Sequence, residues 1–184
     1  MYVIWCVQRR ISCVTPAECN LEFICTYLRA RPPSAPIRTF VDDWFAYHTG
    51  GPFLNRAGRP RWFNRPCPIK NKEALLSMHY ISEQAEKVIK NGAGDSLIKE
   101  HAVPVRVLRT LFDEMKSPTI SEVEKFLLRH YRLGVLTTSD NRLLKEAGLN
   151  SSMPKNWDGV DMFARYNSAE IKGRINSNAK TLTL

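Results

Sequence analysis

Asp95-Ser96-Leu97-Ile98-Lys99-Glu100-His101-Ala102-Val103-Pro104 is the stretch on which the reading of this chain turns. Its apolar residues suit a short strand over Ser96 to Val103. A helix would be cut at Pro104, which has no amide proton and crowds the preceding turn. Pro104 instead suits the first turn of a new helix, whose apolar face is Val105, Leu108, Leu111, Phe112 and Met115, running to Lys116. At the end of the strand an acid is followed directly by a histidine. A neutral imidazole is the side chain best matched to taking up a proton near neutral pH. Neighbouring strand residues point to opposite faces, so Glu100 and His101 share a site only if the strand ends or bends there.

Toward the C-terminus, Thr119-Ile120-Ser121-Glu122 reads as a capping box, in which the threonine caps a helix and the glutamate reaches back. That helix carries Val123, Phe126 and Leu127 on one side and runs to about Arg132. His130 near its end is placed where a cation is favoured. Leu133-Gly134 is a stop, and the β-branched run Val135-Leu136-Thr137-Thr138 is a second short strand. Ser139 is read as the cap of a helix from Asp140 to Ala147, ended by Gly148, which puts Asn141 in the first turn. A further helix is expected at 160–170, and from Gly173 on the polar composition predicts a frayed tail.

Toward the N-terminus, Ala74, Leu75, Met78, Ile81, Ala85, Val88 and Ile89 recur at three- and four-residue steps. This predicts one helix over 73–91, with Asn71 as its cap and Asn91-Gly92 as its stop. His79 and His48 are read as packing residues. Phe40, Trp44, Phe45 and Tyr47 fit a helix from Thr39 to His48, closed by Gly50-Gly51-Pro52. The segment from Asn55 to Pro66 is kept irregular by its prolines and glycine. It carries Arg56, Arg59, Arg61 and Arg65 with Trp62 among them, a set that matches phosphate contacts and base stacking. Residues 1–37 hold four of the five cysteines and end in Arg31-Pro32-Pro33-Ser34-Ala35-Pro36, which is neither helix nor central strand. They are read as an N-terminal extension ahead of one globular domain over 38–172, with its core unit at 95–148 and a flexible tail at 173–184.

At 184 residues with 43 % apolar composition, the chain is globular and large enough for a core of its own. No apolar run approaches the roughly 18–20 residues that cross a bilayer. The apolar residues Met1 to Val7 are too few for a signal-peptide core, and Arg9 and Arg10 follow them instead of preceding them. A cytoplasmic protein with no membrane partner is therefore expected. The cysteine count is odd and no C-x-x-C pair occurs, so free thiols are expected and no structural zinc. The net charge of +9 favours a polyanionic partner. The excess is densest over 38–78, with seven basic and three acidic side chains.

If the two strands pair and the helix from Asp140 packs across them, His101 and the start of that helix approach one another. Phosphodiester hydrolysis needs a base for water and a hard cation for the developing charge. A carboxylate and an amide oxygen suit Mg²⁺, which takes oxygen ligands. The stretches Ile98-Lys99-Glu100-His101-Ala102-Val103-Pro104 and Val135-Leu136-Thr137-Thr138-Ser139-Asp140-Asn141-Arg142 together resemble the HNH (ββα-metal) nuclease family. The first resembles that family's acid-His-x-x-Pro strand. The second resembles the strand-to-helix segment of the HNH domains in RNA-guided CRISPR nucleases. The resemblance implies His101 as general base and Glu100 and Asn141 as ligands of Mg²⁺ or another divalent cation. It also leaves Arg142 and Lys145 on the same helix for the scissile phosphate. The chain departs from the family in three ways. Leu133 or Gly134 stands where the family has a central asparagine, the zinc-binding cysteine pairs are missing, and the insertion over 105–132 is long.

The expectation is therefore an α+β, mostly helical protein with a small ββα unit embedded among helices, acting as a metal-dependent endonuclease on DNA. Two alternatives come from other classes. One is a non-catalytic nucleic-acid-binding protein that uses the loop over 56–65. The other is an interaction protein, such as a phage or plasmid accessory factor.

Overall fold

A computed structural model describes residues 15–30, 37–61, 66–177 and 179. Two helices open it, α1 (Pro16–Ala30) and α2 (Ile37–Thr49). Single 3-10 turns follow at Gly51–Phe53 and Ile69–Asn71. Then come the short helix α3 (Lys72–Leu76), strand β1 (Tyr80–Ser82), α4 (Glu83–Asn91) and strand β2 (Leu97–His101). α5 (Val105–Asp113) and α6 (Ile120–His130) separate β2 from strand β3 (Leu133–Thr137). α7 (Thr138–Glu146), α8 (Ala164–Ser168) and strand β4 (Gly173–Ile175) complete the fold. It is α+β and mostly helical.

The four strands form one mixed sheet in the order β2-β3-β1-β4. β2 runs antiparallel to β3 over its whole length, from Leu97 opposite Thr137 to His101 opposite Leu133. β1 is parallel to β3 and antiparallel to β4. The two-residue side-chain period divides β2 and β3 cleanly. Leu97, Leu133 and Val135 join the main core, with Ile24, Val41, Trp44, Phe45 and Leu127 from α1, α2 and α6. On the other face Leu136 packs with Tyr80, Ala102, Leu144 of α7 and Tyr166 of α8. α7 leaves the end of β3 and lies against both β3 and β2. The expected strand pair and following helix are thus present.

Local chemistry sets the boundaries. Thr119 and Glu122 form the capping box read from the sequence. α7 starts two residues earlier than expected, because Thr137, and not Ser139, is its cap and forms a second capping box with Asp140. The single helix expected over 73–91 is broken into α3, β1 and α4. Ser82 Oγ accepts the Ala85 amide and restarts the helix there. Tyr80–Ser82 meanwhile pair with strands on both sides. All three β1 residues are buried, so their apolar pattern resembled the continuation of a helix face. Gly92, at φ 73°, closes α4 as foreseen.

Two further expectations look different in three dimensions. α1 lies in the presumed extension, yet Leu21, Ile24, Cys25 and Leu28 are part of the main core. β4 occupies the start of the presumed tail. The helix expected at 160–170 is the shorter α8.

Candidate functional site

β2 ends in the acid-histidine pair, and the two side chains part company there. His101 faces the main core. Its Nε2 lies 2.7 Å from Asp42 Oδ1, on α2. The same carboxylate accepts the Tyr131 hydroxyl through Oδ1 and Lys99 Nζ through Oδ2 at 2.6 Å. Burial disfavours the ionised form of Asp42, but the charge and hydrogen bond of His101, then those of Lys99, outweigh it and hold the carboxyl well below the usual range. An ionised Asp42 accepts, so Nε2 of His101 carries the proton. Burial, with the Asp42 charge second, keeps the Tyr131 phenol protonated far above its ordinary pKa. The recess beside this cluster, bordered by Asp43, Phe53, Arg61 and Lys99, has a volume of about 20 Å³. That is room for about one water, and far too little for a nucleotide.

Glu100 faces the opposite side of the sheet. Its Oε1 accepts Arg165 Nη2 at 2.7 Å. Arg165 is 0 % exposed. It also donates to the main-chain oxygens of Ala102 (2.9 Å), Leu149 (2.9 Å), Asn150 (3.3 Å) and His101. A buried charge with this many acceptors meets the requirement that desolvated ions be paired and hydrogen-bonded.

Asn141 lies in the first turn of α7, as expected, and its Oδ1 is buried without a hydrogen-bond partner. Its neighbour Asp140 is the more heavily used side chain. Asp140 Oδ2 accepts Ser82 Oγ (2.6 Å), the Thr137 amide (2.9 Å) and Thr137 Oγ1 (2.9 Å). It thereby joins the β1–α4 and β3–α7 junctions. An open cleft of about 740 Å³ lies over these junctions and has Arg142 on its wall with Lys87, Glu146 and Lys172. Lys145 is exposed on α7.

The arginine loop is only partly within the described residues; Trp62 and Arg65 lie outside them. Its first half is a tight turn. Asn55 Oδ1 accepts the amides of Ala57 (2.9 Å) and Arg59 (3.1 Å). The Asn55 amide donates to Arg59 O at 2.8 Å, and Gly58 sits at φ 69°. Arg56 and Arg59 are exposed on this turn. Arg61 serves differently: its guanidinium donates to Pro52 O (2.9 Å) and Asn71 Oδ1 (3.3 Å) and fastens the loop.

A shared Mg²⁺ on Glu100 and Asn141, with His101 as its base, does not fit these side chains. Glu100 is held by a buried guanidinium, and His101 leaves the strand on the other face. Among the described residues no group of three or more His, Cys, Asp or Glu side chains is placed to hold a metal ion. Gly134 lies close against Tyr166. A Cβ at Gly134 would stand 3.0 Å from the Tyr166 hydroxyl and 3.3 Å from its ring, so a larger residue there requires Tyr166 to shift by a few tenths of an ångström.

Family models, curated proteins and solved structures offer no match to this chain. No helix of the described residues is long and apolar enough to cross a membrane.

Asp42, Tyr131, Asp140 and Arg165 are the residues that sequence reading missed. The available signal was a charge inside an apolar stripe. Asp42 follows Val41 in a helix whose buried face also holds Trp44 and Phe45. Arg165 stands among Phe163, Ala164 and Tyr166.

Proposed function

We propose that this protein binds nucleic acid, DNA in the first instance, through phosphate contacts, and that Glu100 and His101 serve the fold that presents the binding surface. The observation that carries this reading is the turn at 55–59. It holds Arg56 and Arg59 outward on a backbone fixed by the Asn55 side chain, in a chain of net charge +9. A prefixed turn loses little entropy on binding, and exposed guanidinium groups suit phosphate. Arg142 and Lys145 on α7 are further exposed cations. The test is a titration of labelled duplex DNA over a salt series. Electrostatic binding gives an affinity that falls steeply with salt. Salt-independent binding, or none at low salt, rules the reading out.

A second reading, phosphodiester hydrolysis with His101 as base, is favoured by the Asp42–His101 hydrogen bond at 2.7 Å. A carboxylate on one ring nitrogen orients the imidazole, as the acid partner of a histidine base does. Nicking of supercoiled plasmid, with Mg²⁺ and with EDTA, separates the two readings. Cleavage by the wild type that is lost in His101→Ala supports hydrolysis. Binding without cleavage supports the first reading.

A further inference from the structure

β4 is an outer strand of the sheet, and its outer edge, free of a paired strand among the described residues, is equipped for pairing. Glu83 donates its amide to Lys172 O (2.9 Å) and Asn176 donates its amide to His79 O (2.8 Å). Lys172 and Asn176 therefore turn their main chains toward β1, and by the antiparallel alternation so does Arg174. Gly173 and Ile175 turn their N–H and C=O groups the other way, to the open side of the sheet. All three β4 residues are exposed, and Ile175 is 66 % exposed.

A groove of about 600 Å³ lies beside β4, lined by Gly173 and Ile175 together with Tyr80 and Glu83 at β1. Phe163, Ile171 and Ile175 give it an apolar floor. Glu83, Asp161 and Glu170 give it three carboxylates, against one cation, Lys172, among its described lining residues. The groove is thus acidic in a chain that is strongly basic overall.

We propose that the free edge of β4 takes up an extended segment of a partner protein, one that alternates basic and apolar residues, as an added strand. Main-chain pairing with Gly173 and Ile175 supplies affinity. Alternate side chains then reach the apolar floor and the acidic rim, as strand addition requires. Charge selects this occupant over a second copy of the chain. Pairing β4 with its own copy sets the same carboxylates against each other, and like charges across an interface are unfavourable. The inference is independent of nucleic-acid binding, which uses other residues.

The test uses the full chain and a fluorescent peptide of alternating lysine and valine, followed by anisotropy. The peptide is expected to bind. A peptide of alternating glutamate and valine is expected not to bind. Ile175→Pro removes an outward N–H that does not face β1, and is expected to weaken binding by about tenfold or more, as loss of strand pairing should. Glu83→Gln with Glu170→Gln is expected to weaken it and to reduce its sensitivity to salt. Should Ile175→Pro disturb folding, the same lysine–valine peptide with alternate amides N-methylated removes the pairing from the other side. Equal binding by the N-methylated peptide overturns the proposal. So does equal binding by the glutamate peptide. A dimer of the wild type that Ile175→Pro dissociates gives the edge to a second copy, and likewise overturns it.

Discussion

Arg165 Nη2 and Glu100 Oε1 lie 2.7 Å apart in the interior, 65 residues separated in the chain. The same guanidinium holds the carbonyls of Ala102, Leu149 and Asn150. One side chain of α8 therefore pins the end of β2 to the segment that follows α7. Breaking one partner of a buried pair leaves an uncompensated charge.

Arg165→Ala and Glu100→Ala are each expected to lose about 3–5 kcal/mol of stability in urea unfolding, the range for an orphaned buried ion. The double variant Glu100→Leu/Arg165→Met is expected to lose less than the sum of the two single losses, because neither charge is stranded. Additive losses contradict the pairing.

The Asp42 carboxylate joins α2 to β2 and to Tyr131. Tyr131→Phe removes one hydrogen bond to a buried charge and is expected to cost about 1.5–3 kcal/mol. Asp42→Asn is expected to cost more, since His101, Lys99 and Tyr131 all lose an ionic partner. Denaturant titration of both variants checks the order.

Acid should weaken the fold before the carboxylates titrate. Burial lowers the pKa of His79 to about 3, and burial, with Arg129 and Arg132 next, lowers that of His130 to about 4. In the unfolded chain both titrate near the ordinary value of about 6.5. Between these limits the unfolded chain binds the extra protons, so stability falls as pH falls from about 6.5 toward 3–4. His79 alone contributes about 1.4 kcal/mol per pH unit in that window. His79→Gln is expected to flatten the slope between pH 6 and 4. The Asp42 carboxyl, held below its ordinary value, adds its own loss only at lower pH. A melting temperature that does not change over this window contradicts the assignment.

Gly134 and Tyr166 face each other across the second core. Gly134→Ala brings a Cβ within 3.0 Å of the Tyr166 hydroxyl and is expected to cost about 1–3 kcal/mol by overpacking. Adding Tyr166→Phe removes the nearest atom and should return part of the loss. Gly134→Asn, with a larger side chain at the same place, should be worse than alanine.

These residues also mark how far the sequence could be read. β2 and β3 were legible because each is a short apolar run, the first closed by Pro104; β3 starts at Leu133, inside the stretch read as a helix stop, and the residue that caps the next helix is Thr137 and not Ser139. The helix-strand-helix passage from 72 to 91 was not legible. β1 is buried on both faces, so no period-two alternation betrayed it. β4 was hidden for the opposite reason: Gly173, Arg174 and Ile175 are exposed, and their pairing depends on β1. The acid-histidine pair was found, but the partners that decide its role come from 59 and 65 residues away, Asp42 and Arg165. Such long-range pairing leaves no local pattern.

The most direct measurement is the salt dependence of duplex DNA binding by the wild type and by Arg56→Ala/Arg59→Ala. Each lost phosphate contact should reduce the slope of log affinity against log salt by about 0.9. The wild type is expected to bind at low salt with a steep slope, and the double variant to bind more weakly with a slope shallower by about 2. Identical affinity and slope for the two proteins, or no binding by the wild type at low salt, would contradict the account.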